Sequence, residues 1–242
     1  MNRDEYAESG EFLDLFSREA WQALRGPVLG ALNGAAADAG PLVDLGAGSG
    51  LGTELLAGVL PEAHIVAVEP SAIQRAALFA RLGSEPAVRE RVTVVAADAA
   101  GVELPDRLGG VLAMNMIGHL RPDDRRALWE RIGARLAPGA PLVLNLQPPA
   151  EPVELPESVF VSVRVGGRTY QGSGAATPAG AEAVRWRMRY RVRDHADRVV
   201  QETTADYQWY VVAPSTLLAE LSAAGFEAQI GSLDVVRAVA AG

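Results

Sequence analysis

The sequence lacks cysteine and lysine altogether, so all 22 of its basic residues are arginine. The absence of cysteine excludes disulfides, thiolate metal sites and cysteine nucleophiles. The absence of lysine excludes Schiff-base chemistry and a phosphate-binding loop that ends in Gly-Lys. The three histidines, His64, His119 and His195, lie far apart in the 242-residue chain. They form no local cluster, and we therefore predict no metal site.

The charge and the hydropathy pattern restrict the partners. The formal net charge is −8, which argues against nucleic acid as the main partner, because phosphate binding needs an excess of cationic side chains. No window approaches the roughly 18 consecutive apolar residues of a membrane span. The first residues also lack the basic-then-apolar order of a secretory signal. We expect a cytoplasmic protein without a membrane partner. The use of arginine alone as the basic residue, together with abundant alanine, suggests a GC-rich bacterial genome.

From residue 41 onward, short apolar runs alternate with helical stretches, which is typical of a parallel sheet covered by helices on both faces. An amphipathic helical segment with apolar residues at three- and four-residue steps precedes this region. The predicted strands are 41–45, 64–68, 92–96, 110–115, 141–146, 226–230 and 235–240. The predicted helices of this region are 51–59, 71–82, 122–136 and 214–223.

Between about residues 151 and 212 the pattern becomes that of an antiparallel sheet. Residues 184–193 alternate between apolar side chains and five arginines, and residues 199–212 alternate as well, so that a loop at 195–198 could join them as a hairpin. The predicted register pairs Trp186 with Tyr207, Arg187 with Asp206 and Arg191 with Glu202. The arginine stripe is either a solvated face paired with acids or a surface that binds an anionic acceptor.

A glycine-rich turn, Asp44-Leu45-Gly46-Ala47-Gly48-Ser49-Gly50, follows the first predicted strand of the sheet. Glycines let the backbone approach a ligand closely, and the N-terminus of the next helix offers free N–H groups to an anionic group. A dinucleotide fingerprint requires Gly-x-Gly-x-x-Gly or Ala. The three possible third positions, Leu51, Thr53 and Leu55, do not fit it. The turn therefore predicts a nucleotide-type cofactor but departs from the dinucleotide pattern.

This run resembles the first motif of class I S-adenosylmethionine-dependent methyltransferases. Four later segments resemble further motifs of that family in the same order, namely 66–71, 94–99, 115–120 and 136–140. The resemblance covers about residues 40–147 and the last thirty. It implies a doubly wound α/β fold with a seven-stranded, mostly parallel Rossmann-like sheet, here with an antiparallel β insertion before the last helix. The implied parts are 1–150 (N-terminal lid helices and cofactor-binding core), 151–212 (insertion over the acceptor site) and 213–242 (completion of the core).

The resemblance also implies a site for S-adenosylmethionine. The glycine turn would contact its methionine part, Glu69 its ribose and Asp98 its adenine. The cofactor-binding candidates are Tyr6, Asp44, Gly46, Ala47, Gly48, Gly50, Glu69, Pro70, Ser71, Asp98, Ala99, Asn115 and Met116. Asp44 either receives the methionine amino group or orders the turn. Tyr6 either covers the cofactor or packs in the core of the N-terminal helix.

Methyl transfer requires alignment of the acceptor, and a base only where the acceptor arrives protonated. His119 is the candidate base, because it follows the fourth strand at the edge where such sheets bind ligands; its alternative role is packing or capping of the next helix. The insertion resembles the subdomain that covers the acceptor in small-molecule methyltransferases, including sugar and amino-acid N-methyltransferases. The acceptor-binding candidates are Phe16, His119, Gln147, Tyr170, Trp186, Tyr207 and Trp209. Core packing is the alternative for the aromatic residues, and it is favoured for Phe16 and for Trp21.

We therefore expect methyl transfer from S-adenosylmethionine to nitrogen, oxygen or an electron-rich carbon of a small metabolite, in specialised-metabolite biosynthesis, by a monomer or homodimer. The segment Asn115-Met116-Ile117-Gly118 departs from the Asn- or Asp-Pro-Pro-aromatic tetrad of nucleic-acid base N-methyltransferases. Two alternatives stay open. One is a regulatory module that binds the cofactor without consuming it, and the other is an adenine-dinucleotide oxidoreductase.

Overall fold

The computed structural model describes residues 4–241, which form two sheets and six helices. The strands are β1 (Leu42–Leu45), β2 (Ile65–Val68), β3 (Val92–Val95), β4 (Gly110–Ala113), β5 (Pro141–Asn145), β6 (Leu155–Val165), β7 (Arg168–Pro178), β8 (Ala183–Arg193), β9 (Val199–Tyr210), β10 (Phe226–Ile230) and β11 (Val235–Ala240). The helices are α1 (Gly10–Ala31), α2 (Leu51–Val59), α3 (Ala72–Gly83), α4 (Pro86–Arg89), α5 (Pro122–Gly133) and α6 (Pro214–Ala223).

The main sheet has seven strands in the order β10-β11-β5-β4-β1-β2-β3. Strands β1 to β5 pair in parallel, and β11 runs antiparallel to both β5 and β10. Strands β1, β4 and β5 are buried at every position, because helices cover both faces of a parallel sheet. The chain order reverses between β1 and β4, so the crevice between their carboxyl ends is where such sheets bind ligands. The predicted fold class is confirmed.

A buried ion pair fixes two helices on one face of this sheet. The Arg125 guanidinium in α5 donates from Nε and Nη2 to both carboxylate oxygens of Glu220 in α6, at 2.8 and 2.7 Å. The Trp129 indole N–H also donates to Glu220, at 3.4 Å. Both charged side chains are buried, and such a charge needs its partner because desolvation is costly. The ion pair thereby joins α5 to α6.

The second sheet is antiparallel, with the order β6-β7-β8-β9, and it lies between β5 and α6 within the predicted segment 151–212. The predicted hairpin register is confirmed in all three pairs. The arginine stripe is paired with acids: Arg187 with Asp206, and Arg191 with Glu202 at 2.7 Å and Glu157 at 3.6 Å. This outcome favours the solvated face over an anion-binding surface. The three-part division of the chain stays a prediction.

The opposite, aromatic face of this second sheet packs on the first half of α1. The ring of Phe12 stacks on that of Tyr190 with a centroid distance of 5.2 Å and an interplanar angle of 2°. Phe16 and Tyr207 are buried in the same cluster. Helix α1 thus covers part of the aromatic face. No helix within residues 4–241 is long and apolar enough to cross a membrane.

Candidate active site

A cavity of about 890 Å³ opens at the carboxyl edge of the main sheet. Its wall consists of the glycine turn after β1, the loops after β2, β3 and β4, the N-terminal turn (residues 4–9), α1 and the end of β9. Of the thirteen cofactor candidates, all but Gly50 line this cavity. Of the acceptor candidates, His119 alone lines it among the described residues. The structure therefore brings the cofactor candidates together in one cavity, whereas the acceptor candidates other than His119 lie elsewhere.

The glycine turn is shaped by positive backbone angles at Gly46, Gly48 and Gly50, with φ of 69°, 56° and 88°. A Cβ added at Gly48 would meet no atom nearer than 3.9 Å and would project into the space beside the turn. A Cβ at Gly50 would instead lie 2.4 Å from the Leu78 side chain. Gly50 is the N-cap of α2. A glycine is needed at this position because of close packing against α3, and not because of a ligand contact.

Arg81 of α3 holds this turn in place. Its Nε donates to the Ser49 carbonyl at 2.9 Å, and its two terminal nitrogens pair with Glu54 at 2.6 Å and Asp14 at 2.5 Å. One guanidinium thereby joins the turn to α1, α2 and α3. Because the planar group has five donors in a fixed geometry, it limits the movement of the turn.

Glu69, the residue after β2, faces the turn with a buried carboxylate. One of its oxygens accepts from the Gly48 N–H at 2.9 Å and the other from the Ser71 N–H at 2.7 Å. Burial raises the pKa of Glu69, and the two N–H donors oppose that shift. A carboxylate has about four acceptor positions, so each oxygen keeps one for a ligand hydroxyl.

Asp44 lies buried at the end of β1 and also lines the cavity. Its carboxylate accepts from the Thr53 hydroxyl at 2.6 Å, which ties the end of the strand to the first turn of α2. Burial raises the pKa of Asp44 to about 7. The side chain thus orders the turn and borders the cavity, and the two roles considered for it are compatible.

Asp98 and Asn115 follow β3 and β4. Asp98 is exposed and accepts from the Gly101 N–H at 2.7 Å. Asn115 has a positive φ of 56° and is held by Asn145 at the end of β5. The Asn115 N–H donates to the Asn145 side-chain oxygen at 2.7 Å, and the Asn145 amide donates back at 2.8 Å. No sequence signal beyond its place at a strand end marked Asn145 as the support of Asn115.

Gln74 and Trp21 were not predicted as cavity residues, yet both line it. Gln74 is buried, and its Oε1 has no hydrogen-bond partner among the described residues. A buried amide oxygen without a partner is unfavourable in the free protein, and a ligand donor would satisfy it. Trp21 was expected in the core. The side chains of Trp21 and Asp44 both lie 3.1 Å from the position that a Cβ on Gly52 would take. Trp21 is therefore close to Asp44.

The N-terminal turn covers this edge of the sheet through Asp4. One Asp4 oxygen accepts from the Ser71 hydroxyl and the Ala72 N–H, both at 2.9 Å. The other accepts from the Tyr6 N–H at 3.0 Å. A carboxylate at the N-terminus of α3 is favourable because of the free N–H groups and the helix dipole. Tyr6 lines the cavity and also packs on Tyr207, with a centroid distance of 5.5 Å, and α1 begins only at Gly10.

His119 lies opposite the turn, with both ring nitrogens contacted. Its Nε2 lies 2.7 Å from the Tyr6 hydroxyl, and its Nδ1 lies 3.5 Å from a Glu5 carboxylate oxygen. The Trp209 indole packs edge-on against the imidazole with a centroid distance of 4.9 Å. Trp209 also lies against Gly118, where an added Cβ would be 1.9 Å from the indole. The insertion thus contacts the imidazole through Trp209.

The other acceptor candidates lie outside the cavity. Phe16 and Tyr207 are buried in the contact between α1 and the insertion, with Tyr170 and Trp186 packed against them. Tyr207 is hydrogen-bonded to the buried Ser9 hydroxyl. Gln147 follows β5 and has a buried Oε1 without a partner among the described residues. Beyond His119 the cavity is instead lined by four polar residues, Arg121, Asp124, Gln208 and Tyr210.

Within residues 4–241 no group of three histidine, aspartate or glutamate side chains is placed to hold a metal ion. The polar groups that line the cavity are a carboxylate, backbone N–H groups and an amide oxygen, which suit an organic cofactor.

Comparison with known proteins agrees with this geometry. Residues 42–139 match the family model described as "Methyltransferase domain". No curated protein sequence matches the chain. Similar solved structures include Streptomyces venezuelae DesVI, with a TM-score of 0.75, 18% identity and coverage of 96% of each chain. Another is the amino pentose methyltransferase CalS10 from Micromonospora echinaspora, solved with S-adenosylmethionine. Its TM-score is 0.68 at 24% identity, and the match covers 90% of this chain and 91% of the CalS10 chain.

A third similar structure is the sugar N-methyltransferase KedS8 from a Streptoalloteichus species. Its TM-score is 0.68 at 19% identity, and the match covers 93% of this chain and 90% of the other. These identities are low, and the likeness of the structures concerns the fold. S-adenosylmethionine is the cofactor of the methyltransferase family matched by the sequence. Residues 42–139 therefore match a methyltransferase domain, and the chain as a whole has the Rossmann-like fold that these methyltransferase structures share.

Proposed function

We propose that the protein transfers a methyl group from S-adenosylmethionine to a nitrogen, oxygen or electron-rich carbon of a small metabolite in natural-product biosynthesis. One observation carries the proposal. The glycine turn, Glu69 and Asp98, which are separated along the chain, line the same cavity at the switch point of the sheet. Such an edge is where open α/β sheets bind ligands.

The cavity fits the cofactor in three respects. Gly48 leaves space beside the turn that a Cβ would fill. Glu69 keeps an acceptor position on each oxygen for ribose hydroxyls, and Gln74 offers an unpaired amide oxygen. The volume lies near the upper end of the range of about 300–1,000 Å³ for small-molecule sites, as expected for a cofactor together with an acceptor.

When bound, S-adenosylmethionine supplies a methyl group activated by a sulfonium. The task of the chain is then to hold the acceptor in line and to exclude water. The N-terminal turn covers the cofactor side, with Tyr6 and Glu5 in the wall of the cavity. His119, between this turn and the insertion, is the group we assign as the base that finally holds the proton released by the acceptor.

The acceptor end of the cavity lies between α5 and β9. Arg121, Asp124, Gln208 and Tyr210 line it, and these side chains offer hydrogen-bond donors and acceptors. CalS10 and KedS8 act on an amino pentose and a sugar nitrogen. Both facts favour a polar small molecule with an amino group as the acceptor. A cytoplasmic location and a monomeric or homodimeric state stay predictions from the sequence.

The decisive experiment combines binding and turnover. Calorimetry with S-adenosylmethionine, S-adenosylhomocysteine and NAD identifies the cofactor, and radiolabelled S-adenosylmethionine with a panel of small amines and alcohols identifies the reaction. We expect binding of both adenosyl compounds and labelled product with at least one polar amine. Binding of NAD alone would indicate the oxidoreductase. Binding of S-adenosylmethionine without product across the panel would indicate the regulatory module.

Substitution of His119 tests the assigned base. We expect His119→Ala to lower kcat by about 100-fold, the scale of general-base catalysis, with unchanged affinity for S-adenosylhomocysteine. His195→Ala is the control, because His195 is exposed in the hairpin loop. A change in kcat of less than threefold for His119→Ala would show that alignment alone drives the reaction.

A further inference from the structure

We infer that Glu5 is a positioning residue of the active site, which keeps the proton of the neutral His119 ring on Nδ1 and so leaves Nε2 to accept from Tyr6. The inference rests on the proposed function for its kinetic consequence. Its structural part, the tautomer of His119, is independent of turnover.

The geometry that supports this role comes from one short segment. Glu5 and Tyr6 are adjacent in sequence, and they contact opposite nitrogens of the same imidazole. Asp4 anchors the segment at the start of α3 through Ser71 and Ala72. On the other side, Trp209 restricts the ring. The segment that carries Glu5 and Tyr6 is therefore anchored beside the imidazole.

The chemistry of the three groups determines the tautomer. A carboxylate only accepts hydrogen bonds, so the contact with Glu5 favours a proton on Nδ1. In the neutral ring Nε2 then has a lone pair, and the Tyr6 hydroxyl donates to it. The phenol oxygen in turn presents its own lone pairs to the cavity, where a donor group of the acceptor can reach it.

This arrangement provides a path for one proton. The nitrogen of the acceptor gives its proton to the Tyr6 oxygen, while the Tyr6 hydroxyl proton moves to His119 Nε2. Tyr6 stays neutral, as its strongly raised pKa requires, since burial disfavours the phenolate. The positive charge that leaves the acceptor arrives on the imidazole, where the Glu5 carboxylate stabilises it.

Several charged or titratable groups surround His119. Glu5 and Tyr6 face it from the N-terminal turn, and Glu69 acts on it from the end of β2. Arg121 and Asp124 line the same cavity, and Trp209 on the insertion is uncharged. The contact with His119, at 3.5 Å, is the largest influence on Glu5 and lowers the pKa of that carboxyl. Glu5 is therefore the carboxylate in direct contact with the ring.

The test is the ¹⁵N spectrum of the histidine side chains in the wild-type protein and in Glu5→Gln. The chain has three histidines, so a His119→Asn variant assigns the His119 signals. We expect the wild type to show the neutral ring protonated on Nδ1, and Glu5→Gln to show a mixture of both tautomers, because an amide can donate as well as accept. Glu19→Gln, an exposed change on α1, is the control.

The kinetic readout uses the same variants with the acceptor found by turnover. Glu5→Gln should lower kcat at least about tenfold, as expected when the carboxylate behind a catalytic histidine is lost, with S-adenosylhomocysteine affinity within twofold. Glu5→Asp should restore part of the loss. An unchanged tautomer, or an unchanged kcat, in Glu5→Gln overturns the inference. Failure of the proposed function would appear differently, as absent turnover in the wild type.

Discussion

Removal of the Glu69 carboxylate is the most direct perturbation of the cofactor site. In Glu69→Ala the two bonds from Gly48 and Ser71, at 2.9 and 2.7 Å, are lost, together with the acceptor positions for two ribose hydroxyls. Hydrogen bonds to a charged group contribute about 1.5–3 kcal/mol each. Part of the loss is offset by water, and we expect a decrease of about 2–4 kcal/mol in binding free energy, or roughly 30- to 1,000-fold in Kd.

The assay is calorimetry with S-adenosylhomocysteine at constant pH, with the fold checked by circular dichroism. Glu62→Ala is the matched control, because Glu62 is an exposed glutamate near the other end of β2. The control should bind as the wild type does. If Glu69→Ala kept its Kd within threefold of the wild type while folded, the placement of the ribose at Glu69 would be refuted.

Two further substitutions probe the same edge. Gly48→Ala should reduce S-adenosylhomocysteine affinity at least about tenfold, because its Cβ enters the cavity and its φ of 56° costs roughly 1–2 kcal/mol of stability. Gly58→Ala in α2, where a Cβ meets nothing within 4 Å, is the control. Equal affinity of the two variants would contradict close contact between the glycine turn and the cofactor. The free energy of unfolding of the free protein should fall less between pH 4 and 7 in Asp44→Asn than in the wild type. Because burial raises the pKa of Asp44 from 3.8 to about 7, the folded state holds a proton that the unfolded state has lost, and this residue destabilises the fold as the pH rises through that window. Denaturant midpoints at several pH values measure the difference, and parallel slopes would refute it.

The sequence by itself predicted the alternating strands and helices of the main sheet and the hairpin of β8 and β9, but not the bounds of β6, β7 or α4. Periodicity is a local property, and the predicted bounds of α2, α6, β10 and β11 agree with the structure. The hairpin register also followed locally, because alternation and opposite charges on Arg187 and Asp206 select one pairing. The cofactor residues could be grouped because the carboxyl ends of parallel strands meet at one edge.

Only the tertiary structure decided what covers each face. Alternation in the insertion separates an aromatic face from an arginine face, but it does not identify the element that packs on either. Helix α1 occupies the aromatic face, so Phe16 and Tyr207 became core while Gln208 and Tyr210 reached the cavity.

The contacts of the N-terminal turn were equally hidden in the sequence. Glu5 and His119 lie 114 positions apart, and no local pattern joins them. Glu5 belongs to the N-terminal turn, which Asp4 ties to the start of α3, and His119 belongs to the segment after β4, on which Trp209 packs. Side chains that meet through such long-range packing leave no periodic signal, because each is placed by a different element of the fold.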